Sequence, residues 1–283
     1  MSHTPPPTAS ARVGELLDLE RCNGFRVTEH GYIDVLGEQV PPTPRIVHRL
    51  MHTELYTTGY QRGREALRRV AGLTAPHRND DRARILAGLG LRPGATVIDV
   101  GCGPGNFTGL FGAAVGQHGV VIGVDASHHM LRHATTDNAG PNIAYLRADA
   151  QYLPFADHSV DAAACLMALY LIEDPFKALD EIARVLRPSG RVVILTSLAP
   201  GGVRQDVRSR IVEGISGCRM FGHDEIVNAL HLSGFNEIAQ RTGGLSQTVS
   251  ATRTDQPRPV RFEPHVPKGS RQEWGLDESE LSD

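Results

Sequence analysis

The residues best suited to form a ligand site are glycines behind an acidic residue, in the run Asp99-Val-Gly-Cys-Gly-Pro-Gly105. Gly101, Gly103 and Gly105 allow the backbone to turn sharply and to approach a ligand without a Cβ in the way. An apolar run, ATVIDVG, leads into the turn, and we expect a helix from Asn106-Phe107 onwards. Doubly wound folds bind nucleotide-like ligands at such a strand–turn–helix junction, so we predict a ligand site here.

The spacing of the glycines separates this loop from a dinucleotide-binding turn. The dinucleotide pattern is G-x-G-x-x-G, which requires its third glycine at position 106. Position 106 is Asn, and the loop instead reads G-x-G-x-G with an acid two residues before it. This arrangement favours a ligand whose carboxylate and ammonium groups lie over the glycines, rather than the pyrophosphate of NAD.

Two more carboxylates end the next two predicted strands. Asp125 ends GVVIGVD, where an acid accepts hydrogen bonds from both hydroxyls of a ribose. Asp149 ends NIAYLRAD, where an acid can accept a hydrogen bond from an exocyclic amine such as that of adenine. The alternatives are an ordinary loop aspartate at position 125 and a helix-capping acid at position 149.

Helix-like and strand-like segments alternate from Asp80 onwards. DDRARILAGLGL and SHHMLRHATT read as helices, the second with Ser127 as its N-cap, and another helix opens at Asp174-Pro175 and stops at Pro188-Ser189-Gly190. VDAAACL and RVVILT read as the fourth and fifth strands, followed by a helix near 224–233 and two candidate strands, FNEIAQRT and LSQTVSATR. This alternation predicts an α/β fold with a doubly wound parallel sheet.

Four segments in this order and spacing resemble the class I S-adenosylmethionine-dependent methyltransferases, and most of all the branch that contains the ubiquinone and menaquinone C-methyltransferases. They are DVGCGPGNFT, GVDASHHML, RADAQYLPFADHSVDAAAC and EIARVLRPSGRVVIL. The resemblance implies a methyltransferase (EC 2.1.1.-) that uses S-adenosyl-L-methionine. It also implies a mostly parallel, seven-stranded Rossmann-like sheet with a reversed last strand.

The same resemblance assigns cofactor-binding roles residue by residue. Asp99 and the turn Gly101–Gly105, with Cys102 and Gly103 inside it, would face the methionine part. The ribose and adenine would lie against Asp125, Ala126 and Met130. Asp149 and Ala150 would lie at the adenine edge, and Leu166 is the last of the cofactor-binding positions. Cys102 is expected to be a small packing residue rather than a nucleophile.

The segment FRVTEHGYIDVLG, before the predicted domain, can form a hairpin around Glu29–Gly31. It is similar to part of a subset of bacterial and plastid methyltransferases, in which a small cysteine zinc ribbon precedes the domain. This chain has Cys22 without partner cysteines, and a structural zinc site needs four ligands, so we expect no metal. We read the histidines at 128, 129 and 133 as part of the SHHML helix opening, not as metal ligands.

These observations predict four regions. Residues 1–10 are expected to be disordered, and 11–75 to form an N-terminal arm and helical cap, with its helix at 44–72. The methyltransferase domain is expected at 76–253, with a substrate-side insertion at 198–222. A disordered tail is expected at 254–283.

Composition excludes several function classes. The net charge is -3 and 40% of the 283 residues are hydrophobic, so a large core can form and no overall charge attracts nucleic acid or anionic lipid. No apolar run approaches the length of a membrane span, and no signal peptide is evident. Four widely spaced cysteines favour a reducing cytoplasm. The oligomeric state, monomer or homodimer, stays open.

The acceptor is expected to be small and substantially apolar, such as a quinone, a polyketide or a lipid precursor. Tyr170 and His223 are the candidate catalytic residues, and the pair His48 and His52 is a weaker one. The apolar residues available for an acceptor pocket, which can equally serve only to pack the segments together, are Ile46, Leu50, Met51, Leu55, Tyr56, Tyr60, Met167, Ile211, Ile215, Met220 and Phe221. The alternatives are an RNA methyltransferase, suggested by the arginines of 45–84, and a non-catalytic cofactor-binding partner protein.

Overall fold

The fold is a single sheet covered by helices, in a computed structural model that describes residues 8–22, 24–38, 78–202 and 218–254. The α-helices of these ranges are α1 (Ala9–Leu16), α2 (Arg78–Leu89), α3 (Thr108–Val115), α4 (His128–Asp137), α5 (Pro175–Val185) and α6 (Glu225–Leu232). The strands are β1 (Arg26–Val27), β2 (Ile33–Asp34), β3 (Thr96–Val100), β4 (Val120–Asp125), β5 (Ile143–Arg147), β6 (Val160–Leu166), β7 (Leu186–Ser197), β8 (Phe235–Gly243) and β9 (Ser246–Arg253). Short 3₁₀ turns lie at Leu169–Leu171 and Pro200–Gly202.

The strands form one sheet in the order β1-β2-β5-β4-β3-β6-β7-β9-β8. Every pair from β2 to β7 is parallel, whereas β9 runs antiparallel to both β7 and β8. The α/β, doubly wound, Rossmann-like fold is therefore confirmed. Strands β3–β9 are the expected seven with a reversed last strand, and β1 and β2 extend the sheet to nine.

Local sequence explains the elements that carry the predicted site. All five residues of β3 are buried, which suits a central parallel strand covered on both faces. Ser127 caps α4 by accepting a hydrogen bond from the Met130 amide. Asp174 caps α5, which has a proline in its first turn. Helix α3 begins at Thr108, directly after the glycine turn.

The sheet has a hydrophobic core on each face. One core joins the sheet to α1, α5 and α6, with Val13, Leu179 and Ile226 fully buried. The other joins it to α2 and α3 through Ile85 and Phe111. Because both faces are covered, the carboxyl edge of the parallel strands is the place where loops from several strands meet.

The N-terminal arm departs in part from the sequence prediction. The hairpin is where we expected it, since β1 and β2 pair antiparallel on either side of Glu29–Gly31. Residues 8–10, expected to be disordered, instead open α1, where Thr8 accepts a hydrogen bond from the Ala11 amide. Residues 1–7 lie outside the described ranges.

The fifth predicted strand begins earlier than expected. We placed its start at Arg191, after a Pro-Ser-Gly stop, but β7 starts at Leu186, which pairs with Val160 before the register shifts. The predicted strands 235–242 and 245–253 and the helix near 224–233 are confirmed as β8, β9 and α6. The expected helix at 44–72, most of the 198–222 insertion and the tail beyond Thr254 lie outside the described residues.

Candidate cofactor and acceptor site

The glycine turn is fixed by the neighbouring strand. Gly101, Gly103 and Gly105 have φ of +70°, +54° and +81°, a region that favours glycine. The amides of Gly101 and Cys102 both donate to the Val124 carbonyl, at 2.7 and 3.0 Å. The turn after β3 is therefore held against the end of β4.

The three glycines differ in what surrounds them. A Cβ at Gly101 would collide with the Ala168 side chain, and one at Gly105 would collide with the Tyr145 hydroxyl. A Cβ at Gly103 would meet no atom within 4 Å. Gly101 and Gly105 are thus needed for close packing within the protein, and open space adjoins only Gly103.

Asp99 is buried behind the turn. Its side chain is 2% exposed and accepts a hydrogen bond from Thr108 Oγ1 at 2.7 Å. Burial raises its pKa to about 7, with a further contribution from Asp125, although the Thr108 hydrogen bond opposes the shift. The carboxylate therefore holds the start of α3 and does not face open space, where the resemblance would have it.

Asp125 joins the glycine turn to the loop after β4. Its two carboxylate oxygens accept hydrogen bonds from the Gly103 amide at 2.9 Å and the Ser127 amide at 2.8 Å. The residue is only partly buried. Since a carboxylate has about four lone-pair sites, acceptor capacity remains for a ligand on the exposed side.

Asp149, which is partly buried, is held by a residue that the sequence analysis did not single out. Gln151 is 8% exposed, and its amide nitrogen donates to both Asp149 oxygens at 3.1 and 3.2 Å. The Gln151 side-chain carbonyl accepts from the Asp174 amide at 3.0 Å, next to α5. Gln151 thus connects the loop after β5 to the loop that follows β6. Its place two residues after a strand-end acid is the one sequence signal for this role.

The other predicted cofactor residues lie at or beyond the ends of β4, β5 and β6. Ala126, Met130 and Ala150 are partly buried, and Leu166, at the end of β6, is 8% exposed. Burial, followed by the charges of Asp125 and Asp99, raises the thiol pKa of Cys102 well above its ordinary value. A neutral thiol is a poor nucleophile, which agrees with a packing role for Cys102.

The carboxyl edge of the sheet has two halves. The inner half consists of residues 99–108, 125–130 and 148–152, at or just beyond the ends of β3, β4 and β5. The outer half consists of residues 166–174 and 196–202, at or just beyond the ends of β6 and β7, together with residues 218–223. The inner half contains every predicted cofactor residue except Leu166.

The outer half contains Tyr170 and the exposed side chain of Met167. Tyr170 lies partly buried in the 3₁₀ turn, and its carbonyl accepts from the Arg219 amide at 3.1 Å. Met167 has φ of +59° and is 46% exposed. A non-glycine residue with positive φ is uncommon and occurs often at functional sites.

The structure does not bring His223 to the inner half. Its carbonyl accepts from the side-chain amide of Gln240 on β8, and its ring contacts Asp224. Strand β8 is the last of the sheet, four strands from β3, or roughly 19 Å at the usual strand spacing. The expected acceptor residues Met220 and Phe221 are 3% and 0% exposed, so they pack into the core instead of lining a pocket. Apart from Met167, the other expected pocket residues, together with His48 and His52, fall in 39–77 and 203–217, outside the described residues.

A comparison with protein families agrees with this arrangement. The profile of a family described as "Methyltransferase domain" matches residues 98–194, from β3 into β7. Residues 98–194 of the chain are thus similar to a methyltransferase domain. The glycine turn, Asp125 and Asp149 all lie within the matched range.

Curated relatives match over the same region. A demethylmenaquinone methyltransferase of Staphylococcus aureus is 38% identical over 120 residues, which is 42% of this chain and 50% of that protein. An uncharacterized 37.1 kDa protein in transposon TN4556 of Streptomyces fradiae is 41% identical over 112 residues, 39% of this chain and 32% of that protein. The chain thus spans half or less of the length of these relatives.

Solved structures share the fold at low sequence identity. Haemonchus contortus phosphoethanolamine N-methyltransferase 2, solved with S-adenosyl-L-methionine, gives a TM-score of 0.55 at 16% identity, over 62% of this chain and 52% of that one. A chain from the complex between the Haloferax volcanii Trm112 methyltransferase activator and a methyltransferase gives a TM-score of 0.54 at 22% identity. The match covers 64% of this chain and 93% of that one.

The inner half fits S-adenosylmethionine chemically. The cofactor presents an ammonium, a ribose diol and an adenine amine along its length, all of which are hydrogen-bond donors. The inner half offers acceptors on neighbouring strands, Asp125 at the end of β4 and Asp149 after β5, and Asp125 contacts the open backbone at Gly103. In the described ranges, no helix has both the length and the apolar character needed to cross a membrane.

Proposed function

We propose that the chain is an S-adenosylmethionine-dependent methyltransferase that acts on a small, substantially apolar acceptor. The observation that carries the proposal is the pair of strand-end carboxylates, Asp125 and Asp149, beside a glycine turn that is open only at Gly103. The proposal gives each of them a donor group of the cofactor to bind.

The cofactor residues divide into those that touch the ligand and those that support them. In this proposal the backbone at Gly103 receives the methionine part, Asp125 the ribose hydroxyls and Asp149 the adenine amine. Ala126, Met130 and Ala150 add contacts to the nucleoside. Behind them, Asp99, Gly101, Cys102 and Gly105 keep the turn in shape, and Leu166 packs in the core at the end of β6.

Methyl transfer requires few catalytic groups from the protein. The cofactor, when bound, supplies a methyl group that is already activated on a sulfonium. The chain has to hold the acceptor in line with that methyl group and to exclude water. We assign these tasks to the outer half, where Met167 offers an exposed apolar side chain and Tyr170 a polar one. His223 also lies in the outer half, but its ring contacts Asp224 and the proposal assigns it no step.

The acceptor class rests on two observations. The Staphylococcus aureus relative is named for a menaquinone precursor, and it is 38% identical across the matched region. Met167 is an exposed apolar residue held with positive φ at the strand end beside the glycine turn. Small-ligand pockets are mostly apolar with a few placed polar groups, which such residues suit.

The test is transfer of labelled methyl groups from S-adenosylmethionine by the purified full chain. Demethylmenaquinone, a lipid-soluble cell extract and total RNA are offered as separate acceptors. We expect label in the lipid-soluble extract and none above background in RNA. Label confined to RNA would overturn the acceptor class.

Calorimetry provides the matching binding test with S-adenosylhomocysteine and NAD. We expect binding of the first and none of the second, because Asn106 occupies the place of the third dinucleotide glycine. Binding of NAD alone would contradict the cofactor assignment itself. Binding of S-adenosylhomocysteine without transfer to any acceptor would favour a non-catalytic cofactor-binding protein.

A further inference from the structure

The N-terminal arm joins the sheet beside the inner half of the site. Strand β2 pairs parallel with β5, with Ile33 opposite Leu146 and Asp34 opposite Arg147. The pairing continues beyond the strand, since the Val35 amide donates to the Arg147 carbonyl at 3.2 Å. The arm therefore adds a strand to the sheet edge next to the loops that hold Asp125 and Asp149.

A buried ion pair stabilises the junction between the arm and the sheet. Arg147 Nη1 lies 3.1 Å from Asp34 Oδ1, and the two side chains are 2% and 0% exposed. Asp34 also accepts hydrogen bonds from the Leu36 and Gly37 amides and from the Arg26 side chain. Burial alone would raise the pKa of Asp34, but Arg147, followed by these hydrogen bonds, lowers it overall. The carboxylate is thus charged and fully used inside the protein.

Arg147 also forms a hydrogen bond with the loop after β4. Its Nε donates to the Ala126 carbonyl at 3.1 Å, directly beyond Asp125, while its Nη1 donates to the Gly37 carbonyl at 2.7 Å. Asp125 is also the register partner of Arg147, and its carbonyl accepts from the Ala148 amide. One guanidinium therefore connects the arm to the segment that carries Asp125.

A second contact reaches the same loop independently. The hydroxyl of Tyr32 shares a hydrogen bond with His128 Nδ1 at the first residue of α4. The Tyr32 ring is 2% exposed and packs on Leu131 and Ala134 of that helix. Burial, followed by the charge of Arg147, lowers the pKa of His128, which favours a neutral ring that can accept from the phenol.

We propose that the arm is a positioning element of the cofactor site, with Asp34 acting through Arg147 and Tyr32 acting through His128 to hold the loop 125–128. The inference rests on the proposed function, because it assigns that loop to the nucleoside end of the cofactor. Neither arm residue is proposed to touch the cofactor. Their removal leaves Asp125 in the chain but frees its loop, so cofactor affinity falls.

The test compares full-length variants by calorimetry with two probes, S-adenosylhomocysteine and 5′-methylthioadenosine. Tyr32→Phe removes one hydroxyl and keeps the buried ring. The double variant Asp34→Leu/Arg147→Met removes both members of the ion pair together, so that neither of them is left as a buried unpaired charge. Arg21→Gln is the control, because Arg21 ties the same arm to Glu181 of α5 at 2.9 Å and does not reach the loop.

We expect Tyr32→Phe to weaken binding of both probes by about fivefold, and the double variant to weaken it by about twentyfold or more. These factors correspond to losses of roughly 1 and 2 kcal/mol in binding free energy, at about 1.4 kcal/mol per tenfold change in affinity. Both probes should lose affinity by the same factor, because the arm supports only the nucleoside end. Arg21→Gln should bind both as the wild type does. Thermal unfolding, followed in parallel, shows that each variant is folded at the temperature of the titration.

The outcomes separate the inference from the function on which it rests. A wild-type chain that binds neither probe overturns the proposed function and this inference with it. A wild-type chain that binds, together with folded Tyr32→Phe and double variants of unchanged affinity, overturns only the inference. Equal weakening in Arg21→Gln would also overturn it, since the effect would then follow from loosening the arm anywhere.

Discussion

The inner and outer halves of the carboxyl edge are held in different ways. In the inner half, the strand-end carboxylates accept hydrogen bonds from side chains or backbone amides close by, as Asp125 does from Gly103 and Ser127. In the outer half, Thr196 Oγ1 and Arg219 Nε are buried without a hydrogen-bond partner, and within the described ranges no other side-chain polar atoms are in that state. The inner half is thus preformed, whereas the outer half keeps unsatisfied groups and the strained Met167.

This difference suits the two ligands that the halves are proposed to bind. A site for one invariant cofactor can be fixed by short-range hydrogen bonds, because the ligand never changes. A site for an acceptor differs between enzymes that share a fold, and function belongs to such sites more than to the fold. The following changes test the contrast, from the largest expected effect to the smallest.

The largest effects are expected from two glycines of one turn. Gly101→Ala brings a Cβ into Ala168 at φ +70°, so we expect a loss of about 3–5 kcal/mol in the free energy of unfolding from overpacking and backbone strain together. Gly103→Ala has the same sign of φ but open space, so we expect a loss of only about 1–2 kcal/mol from strain.

The affinity for the cofactor should also distinguish Gly101→Ala from Gly103→Ala. A methyl group at Gly103 enters the space assigned to the cofactor, so Gly103→Ala should lower the affinity for S-adenosylhomocysteine at least tenfold while the protein stays folded. Urea unfolding and calorimetry measure the two quantities. Tight binding by Gly103→Ala would place the ligand elsewhere.

The second effect is a pH dependence from Asp99. Its pKa is about 7 in the folded chain and close to 4 when unfolded, so the folded state binds the extra proton between these values. Stability contributed by that proton is fully present below pH 4 and is lost as the pH rises through 7. Asp99→Asn lacks this titration and keeps an oxygen that can accept from Thr108.

The wild type should therefore lose up to about 4 kcal/mol relative to Asp99→Asn between pH 4 and pH 8, at about 1.4 kcal/mol per pK unit. Urea unfolding of both proteins without cofactor at pH 4.5, 6 and 8 measures the difference. Parallel curves across this range would mean that Asp99 is ionised throughout.

The third effect concerns Asp125, which serves both the fold and the ligand. Asp125→Ala should weaken S-adenosylhomocysteine binding by about 1–3 kcal/mol, the cost of leaving hydrogen-bonding groups unpaired. It should also lower stability, because the Gly103 and Ser127 amides lose their acceptor. Asp125→Asn keeps one acceptor oxygen and should lose less of both. Unchanged affinity in a folded Asp125→Ala protein would remove Asp125 from the ligand site.

The contrast also explains what the sequence could predict. The glycine turn, Asp125 and Asp149 follow their strands within a few residues, so local pattern and strand order were enough to locate them. Asp34 and Arg147 are 113 residues apart and meet only when β2 joins β5, which no local pattern indicates. For the same reason the sequence left Met220 and Phe221 open between pocket lining and packing, because burial of an apolar residue depends on how its segment packs.

The smallest effect comes from two fully buried threonines, one in each half. Thr108 donates to Asp99, so Thr108→Val leaves that carboxylate without its donor and should cost about 1.5–3 kcal/mol at pH 8, where Asp99 is ionised. Thr196 Oγ1 has no partner, so Thr196→Val keeps the shape, removes an unsatisfied hydroxyl and should raise stability by about 1 kcal/mol. Urea unfolding of the two Thr→Val variants at pH 8 measures both changes in the free energy of unfolding. A loss at Thr196 as large as that at Thr108 would mean that its hydroxyl is bonded in solution. The two halves would then not differ in the way proposed.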